Sequence, residues 1–248
     1  QVEAAVGLGE MGTAAARHAL LEALGDTPSI PVAAQIVESL GRFRFARVEA
    51  AFESLLTRPD TPQELRVTAA EALARSNRAA VPFLLDLAAN DADPDVRAAA
   101  AWASGMHGDA RIGPRLVALA EREPDADVRR RLYESLVPQP EVPIDRLIPA
   151  VAAERDVAAR IAGFNAVGAV VGRDGTAAIA ADFDATAVPE LLRVAASTNS
   201  LNVRMRAVFA LRRAGTPAAQ DALVAIAASL DAPPQIANAA RHGVRGHP

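Results

Sequence analysis

Apolar residues recur along this chain with the spacing of a helical stripe. In "DPDVRAAAAWASG", from Asp93 to Gly105, an apolar or small residue stands at Val96 and again four, seven and eight positions on, at Ala100, Ala103 and Ser104. The same spacing groups Val203, Ala207, Ala210 and Leu211, the pattern of a helix with one buried face. The stretch has close relatives in "DVRRRLYESLV" from Asp127, "NVRMRAVFALRRAG" from Asn202 and "ELRVTAAEALARS" from Glu64. Weaker ones are "QVEAAVGLG", "PVAAQIVESLG", "DVAARIAGFNAVG" and "QIANAARHGV". Together they set eight anchors, at Val2, Val32, Leu65, Val96, Val128, Val157, Val203 and Ile236, spaced 29 to 33 residues apart except for 46 between Val157 and Val203. The long interval predicts an insertion of about 14 residues in an otherwise regular repeat. It is placed within "GRDGTAAIAADFDATAV", Gly172 to Val188, and its mixed Gly, Asp and Ala content suggests a short extra helix in an exposed excursion.

Between the anchor segments lie further helical stretches such as "VPFLLDLAAN", "IGPRLVALAERE" and "QDALVAIAASL", set off by turns rich in Pro, Asp and Gly. The unit is therefore a pair of antiparallel helices. One hairpin cannot bury its own apolar face, so neighbouring hairpins must supply the core. The expected fold is all-α, an α-solenoid of about eight stacked hairpins forming a single domain over residues 1–248. A helix spacing of about 8 to 10 Å would make it about 70 Å long.

The ankyrin and tetratricopeptide signatures are missing. The Asp-Val-Arg triplet followed by an Ala-rich helix, at Asp95 to Arg97 and Asp127 to Arg129 and as Asn-Val-Arg at Asn202 to Arg204, resembles a short bacterial HEAT-like repeat of the type found in phycobilin lyases. The resemblance covers nearly the whole chain and fades at the first and last units, where Glu3 and Ala237 replace the Arg. An Asp or Asn before an apolar helical stripe reads as an N-cap, so Asp95, Asp127, Asp156 and Asn202 are expected to cap their helices. The resemblance implies that the Arg of each triplet reaches a carboxylate of the adjacent unit, giving a ladder of Asp–Arg pairs along the stack. The triplet is thus structural and not catalytic.

Composition sharpens this picture. Hydrophobic residues make up 51% of the chain and aromatics only 4%, which favours helices packed through small side chains. All 26 basic residues are Arg. The net charge of -4 argues against a general nucleic-acid binder. There is no cysteine, which removes thiolate chemistry and leaves the compartment open. The longest apolar run, "IAGFNAVGAVVG", is 12 residues, against about 20 for a membrane span. Because the chain opens at Gln1 within a repeat, a preceding segment of a longer protein is expected.

Motifs for catalysis are weak. "GLGEMG" at Gly7 matches G-x-G-x-x-G but has no strand before it. Lys is absent, so there is no Walker A loop, and no G-x-S-x-G elbow occurs. His18, His107, His242 and His247 lie in different units without metal-ligand spacing, and none precedes a Glu. No cofactor or metal is expected. Among enzymes, a phycobilin-lyase-like or DNA-glycosylase-like protein remains the alternative. The half up to residue 124 holds 12 Arg against 17 acids and the rest 14 against 13. Arg129, Arg130, Arg131, Arg160, Arg204, Arg206, Arg212 and Arg213 gather in the later units as a candidate anion site.

The function expected is that of a non-catalytic interaction or scaffold module. By the resemblance, the anchor helix is the second of each unit and lines the concave side. Positions two, five, six and nine beyond the anchor point away from the apolar stripe, and they select Glu38, Glu71, Trp102, Arg130, Tyr133, Glu134, Gly163, Phe209 and Arg212. Trp102 and Tyr133 are the only Trp and Tyr, residue types enriched at binding hot spots. Either a protein or peptide uses them as docking points, with Glu38, Glu71 and Glu134 selecting a basic flank, or the superhelical twist tucks both rings between neighbouring units.

Overall fold

The computed structural model describes residues 1–27, 29–197 and 199–244. Among them every regular element is helical, and fifteen α-helices follow one another from α1 (Val2–Met11) to α15 (Pro234–Arg241). All eight anchors fall on alternate helices: α1, α3 (Ile30–Leu40), α5 (Gln63–Ala72), α7 (Pro94–Gly105), α9 (Ala126–Leu136), α11 (Val157–Asp174), α13 (Leu201–Ala214) and α15. The helices between them are α2 (Ala14–Asp26), α4 (Glu49–Thr57), α6 (Val81–Asn90), α8 (Ile112–Ala120), α10 (Ile144–Ala153), α12 (Ala177–Ala196) and α14 (Pro217–Ala228). The fold is an α-solenoid, with seven hairpins and a last single anchor helix among the described residues.

The chain divides into two compact units, Gln1–Leu119 and Ala120–Pro248. In the first, α1, α3, α5 and α7 pack side by side as one layer, and α2, α4 and α6 cover them. In the second, α9, α11, α13 and α15 form the corresponding layer beneath α10, α12 and α14. On α7 and α9 the anchor and the positions four, seven and eight beyond it form the buried face: Val96, Ala100, Ala103 and Ser104, and Val128, Leu132, Ser135 and Leu136, are all buried, whereas Val2, the first anchor, is exposed. Small residues at these positions let the layers approach closely.

The caps differ from the expectation. Asp93 caps α7 by accepting from the Asp95 N–H at 2.9 Å, Asp125 caps α9 by accepting from Asp127 and Val128, and Ser200 caps α13. Asp95, Asp127 and Asn202 sit at the second helical position instead. The cap stands two residues and the helix starts one residue before the triplet there, so these side chains are already inside its first turn, where the two carboxylates still favour the positive end of the helix dipole. Asp156 does cap α11, through the Ala159 N–H at 2.9 Å.

Counted from these caps, the repeat Arg always stands four residues on: Arg66, Arg97, Arg129, Arg160 and Arg204. On α11 this makes Ala159, fully buried, the true counterpart of Val96, rather than half-exposed Val157. The Arg clamps the turn before its own helix. Arg97 donates to the Asp91 and Ala92 carbonyls, Arg129 to those of Glu123 and Pro124, Arg160 to Glu154 and Arg204 to Ala195. For Arg66 and Arg129 the acidic partner in the next repeat stands two residues before the cap and is not the Asp of the triplet, whereas Arg160 pairs with Glu190 on α12. Arg66 meets Asp91 at 2.6 Å, and Arg129 meets Glu154 at 2.6 and 2.9 Å.

Residues 172–188 form no extra helix. The long interval is absorbed by α11 and α12, which run to 18 and 20 residues with only Gly175 and Thr176 between them. Two glycines of α11 pack on α13, where a Cβ on Gly168 would lie 2.7 Å from the Ala210 carbonyl oxygen and one on Gly172 1.9 Å from that of Arg213, while most of residues 172–182 are exposed as expected. Both glycines allow backbone-to-backbone contact with α13.

Candidate functional site

Nine residues beyond the cap, the anchor helices carry a row that avoids the covering layer. In the first unit it consists of Glu38, Glu71 and Trp102. Glu71 is exposed and Trp102 half-buried. Glu38 lies 3.8 Å from Arg75, both side chains being about half exposed, an arrangement worth under about 1 kcal/mol.

In the second unit the row holds Glu134, Asn165 and Phe209. Glu134 receives three guanidiniums: Arg130 at 3.0 Å, Arg131 at 3.3 Å and Arg206 at 2.7 Å. The first two lie one helical turn before it on α9, whereas Arg206 comes from α13. That reach spans α11, whose residues in the row are small or short: Ala162 is fully buried and Asn165 nearly so. Arg130 also contacts exposed Asp127 at 3.1 Å. Asn165 Oδ1 accepts from Arg213 at 2.7 Å, and the Arg212 guanidinium lies 5.7 Å from the Phe209 ring centre, within cation–π range. Although Arg213 is exposed as a whole, partial desolvation of its guanidinium, aided by the neighbouring Arg212 charge, pushes it below its ordinary value.

Three site expectations require correction. Tyr133 is not on this row; it is 1% exposed. It stands four residues after Arg129, about 100° round the helix from Glu134, so it faces the neighbouring repeat together with the Arg129–Glu154 pair. Burial and the Glu154 charge push its phenol up to about 12. Glu134 offers no free carboxylate to a basic partner, because three arginines already surround it. Gly163 is likewise not on the row: a Cβ there would strike Val151 at 2.5 Å, and Asn165 takes its place.

A second feature of the later unit is a cavity of about 360 Å³ bounded by α10, α11 and α12. Phe164 and Phe183 form its apolar walls, and Arg160 and Glu190, paired at 2.5 Å, border it with Asp182. Phe183 and Asp182 come from the added length of α12. Among the described residues no cluster of His, Asp and Glu is arranged to hold a metal ion, and no helix is long and apolar enough to cross a membrane. His107 Nε2 bonds the Leu73 carbonyl at 3.1 Å; His247 lies outside the described residues.

Residues 48–137 match the family model for HEAT repeats, and residues 1–26 and 203–229 match that for the PBS lyase HEAT-like repeat. The chain is a HEAT-like repeat protein. The HEAT match runs from α4 to α9, so that its hairpins close on the anchor helix, whereas the two PBS lyase matches begin with it; both cut one repeat at different points. No curated protein matches this HEAT-like chain. Among solved structures, it is similar to the complex of CpcE and CpcF of phycocyanin lyase from Nostoc sp. PCC7120, at 22% identity and a TM-score of 0.58, over 92% of this chain and 86% of that one. It also matches human deoxyhypusine hydroxylase in complex with glycerol, at 18% identity and a TM-score of 0.38, over 96% and 86% of the two chains. The first likeness carries the fold, and the second carries no argument. For this HEAT-like repeat protein, an anchor count starting from Val157 misses Asn165. Arg206 and Arg213 were legible as members of a basic cluster, but their partners across helices carry no local sequence signal.

Proposed function

We propose that this HEAT-like repeat protein is a non-catalytic interaction module that binds a protein or peptide through the anchor-helix row of one of its units. The observation that supports this most is Phe209, a half-exposed aromatic stacked under Arg212. Aromatic and Arg side chains dominate hot spots because they bring large area at small entropic cost. Trp102 offers a comparable half-buried ring on the row of the first unit. The similar phycocyanin lyase structure is of a two-protein complex, which agrees with this reading without carrying it.

Selection of peptides from a random display library against the chain tests the proposal. Recovered peptides should bind Phe209→Ala or Trp102→Ala at least about tenfold more weakly, with helicity unchanged. Failure to recover any peptide, or recovery of peptides indifferent to both variants, would refute it. A lyase-like reading has one observation of its own, the cavity beside Phe164 and Phe183. It predicts a small apolar ligand displaced by Ala187→Phe, a change at the cavity wall away from the row.

A further inference from the structure

The row of the second unit carries an unbalanced charge. Arg130, Arg131, Arg206, Arg212 and Arg213 present five guanidiniums, and the carboxylates that pair with them are those of Glu134 and Asp127. No ion pair of the described residues involves Arg212 or Arg213. Arg213, exposed at the surface, instead relies on the neutral Asn165, and partial desolvation together with the adjacent Arg212 charge disfavours its own. An incoming anion would relieve that repulsion.

The placement also sets a spacing. Arg206, Phe209 and Arg213 follow an i, i+3, i+7 pattern, so they form one stripe along α13, with the two arginine backbone positions about two turns, or about 10 Å, apart and Phe209 between them. Glu134 sits at one end of the stripe, bound to Arg206 at 2.7 Å. It therefore holds that guanidinium in place and repels a continuous run of phosphates.

We propose that this face binds an acidic peptide segment of a partner protein, with one carboxylate on Arg206, another on Arg213 and an apolar side chain between them on Phe209 and Arg212. This rests on the interaction reading above and reverses the sign of the partner charge expected from Glu134. A nucleic acid fits less well. The basic patch is short, a carboxylate lies within it, and the whole chain is at -4.

The test uses two synthetic amphipathic peptides of about 15 residues, identical except that the polar face carries Glu in one and Lys in the other, together with a single-stranded DNA of similar length. Fluorescence anisotropy on the full chain should show binding of the Glu peptide that weakens at least about tenfold in Arg213→Gln and again when salt is raised from about 0.1 to 0.5 M. Arg206→Gln should act likewise, and Arg122→Gln, on the exposed turn after α8, should have no effect. Should Arg206→Gln unfold the chain, Arg213→Gln alone decides, since Arg213 makes no ion pair that the fold requires. A preference for the Lys peptide that is still sensitive to Phe209→Ala overturns the acidic assignment and leaves the interaction reading intact. Tighter binding of the DNA overturns it in favour of a phosphate ligand. Binding of none of the three also overturns it, while the display selection judges the interaction reading separately.

Discussion

Replacing Glu154 by Gln should be among the more damaging single-atom changes this fold can suffer. The Glu154 side chain is 2% exposed and that of Arg129 19%. Burial by itself would raise the Glu154 carboxyl, but hydrogen bonds from Arg129 and from the Asp156 and Arg155 N–H groups outweigh it and hold the group below its ordinary value. Glu154→Gln keeps an oxygen for the two N–H groups and removes the charge opposite Arg129. Breaking a buried pair from one side costs about 3 to 5 kcal/mol. Here Arg129 retains the Glu123 and Pro124 carbonyls as acceptors, so about 2 to 3 kcal/mol is the expected loss. Asp125→Ala should cost about 1 kcal/mol, as for other caps. Asp127→Ala should cost under about 0.5 kcal/mol, since its side chain is 85% exposed and holds only one surface pair. Urea unfolding followed by circular dichroism ranks the three, provided the m-value is unchanged. If Asp127→Ala matched or exceeded Asp125→Ala, the cap assignment would be wrong. If Glu154→Gln fell below both, the inter-repeat pair would contribute nothing.

Two further outcomes follow from packing and titration. Gly172→Ala should destabilise the chain by about 1 to 3 kcal/mol despite the better helix propensity of Ala, because its Cβ would meet the Arg213 carbonyl at 1.9 Å; equal or greater stability in the same urea assay would show that α11 and α13 are not in backbone contact there. Burial pushes the His107 imidazole below its ordinary value and outweighs its bond to Leu73, with the Arg78 charge acting in the same sense. The folded state therefore binds this proton less readily than the unfolded one, so stability present above about pH 6.5 is lost as pH falls through the folded value. His107→Gln should flatten that part of the loss, and a wild-type-minus-variant difference independent of pH between 7 and 5 would refute it.

Periodicity made the architecture legible because every anchor helix needs the same buried face, and a burial requirement repeated eight times leaves a repeated trace. What it left ambiguous was phase. Val157 follows a cap directly and is apolar, so it mimics Val96, yet Val96 follows its cap by three residues and Val157 by one. Only the Arg four residues beyond the cap distinguishes the two cases, since its reach to the preceding carbonyls fixes its distance from the turn. The two-residue slip moved the expected site from Asn165 to Gly163. Tyr133 failed for a related reason: adjacent positions on a helix differ by about 100°, enough to turn an aromatic from solvent to the joint between repeats, where it packs beside Arg129. The sign of the site was hidden more deeply. Glu134 reads as an acidic feature until Arg206, 72 residues later in the chain, is placed across α11 beside it, and such a pairing depends on the small residues of an intervening helix. In a solenoid, then, the stripe that builds the core can be read one repeat at a time, whereas the charge of a binding face belongs to three neighbouring helices at once.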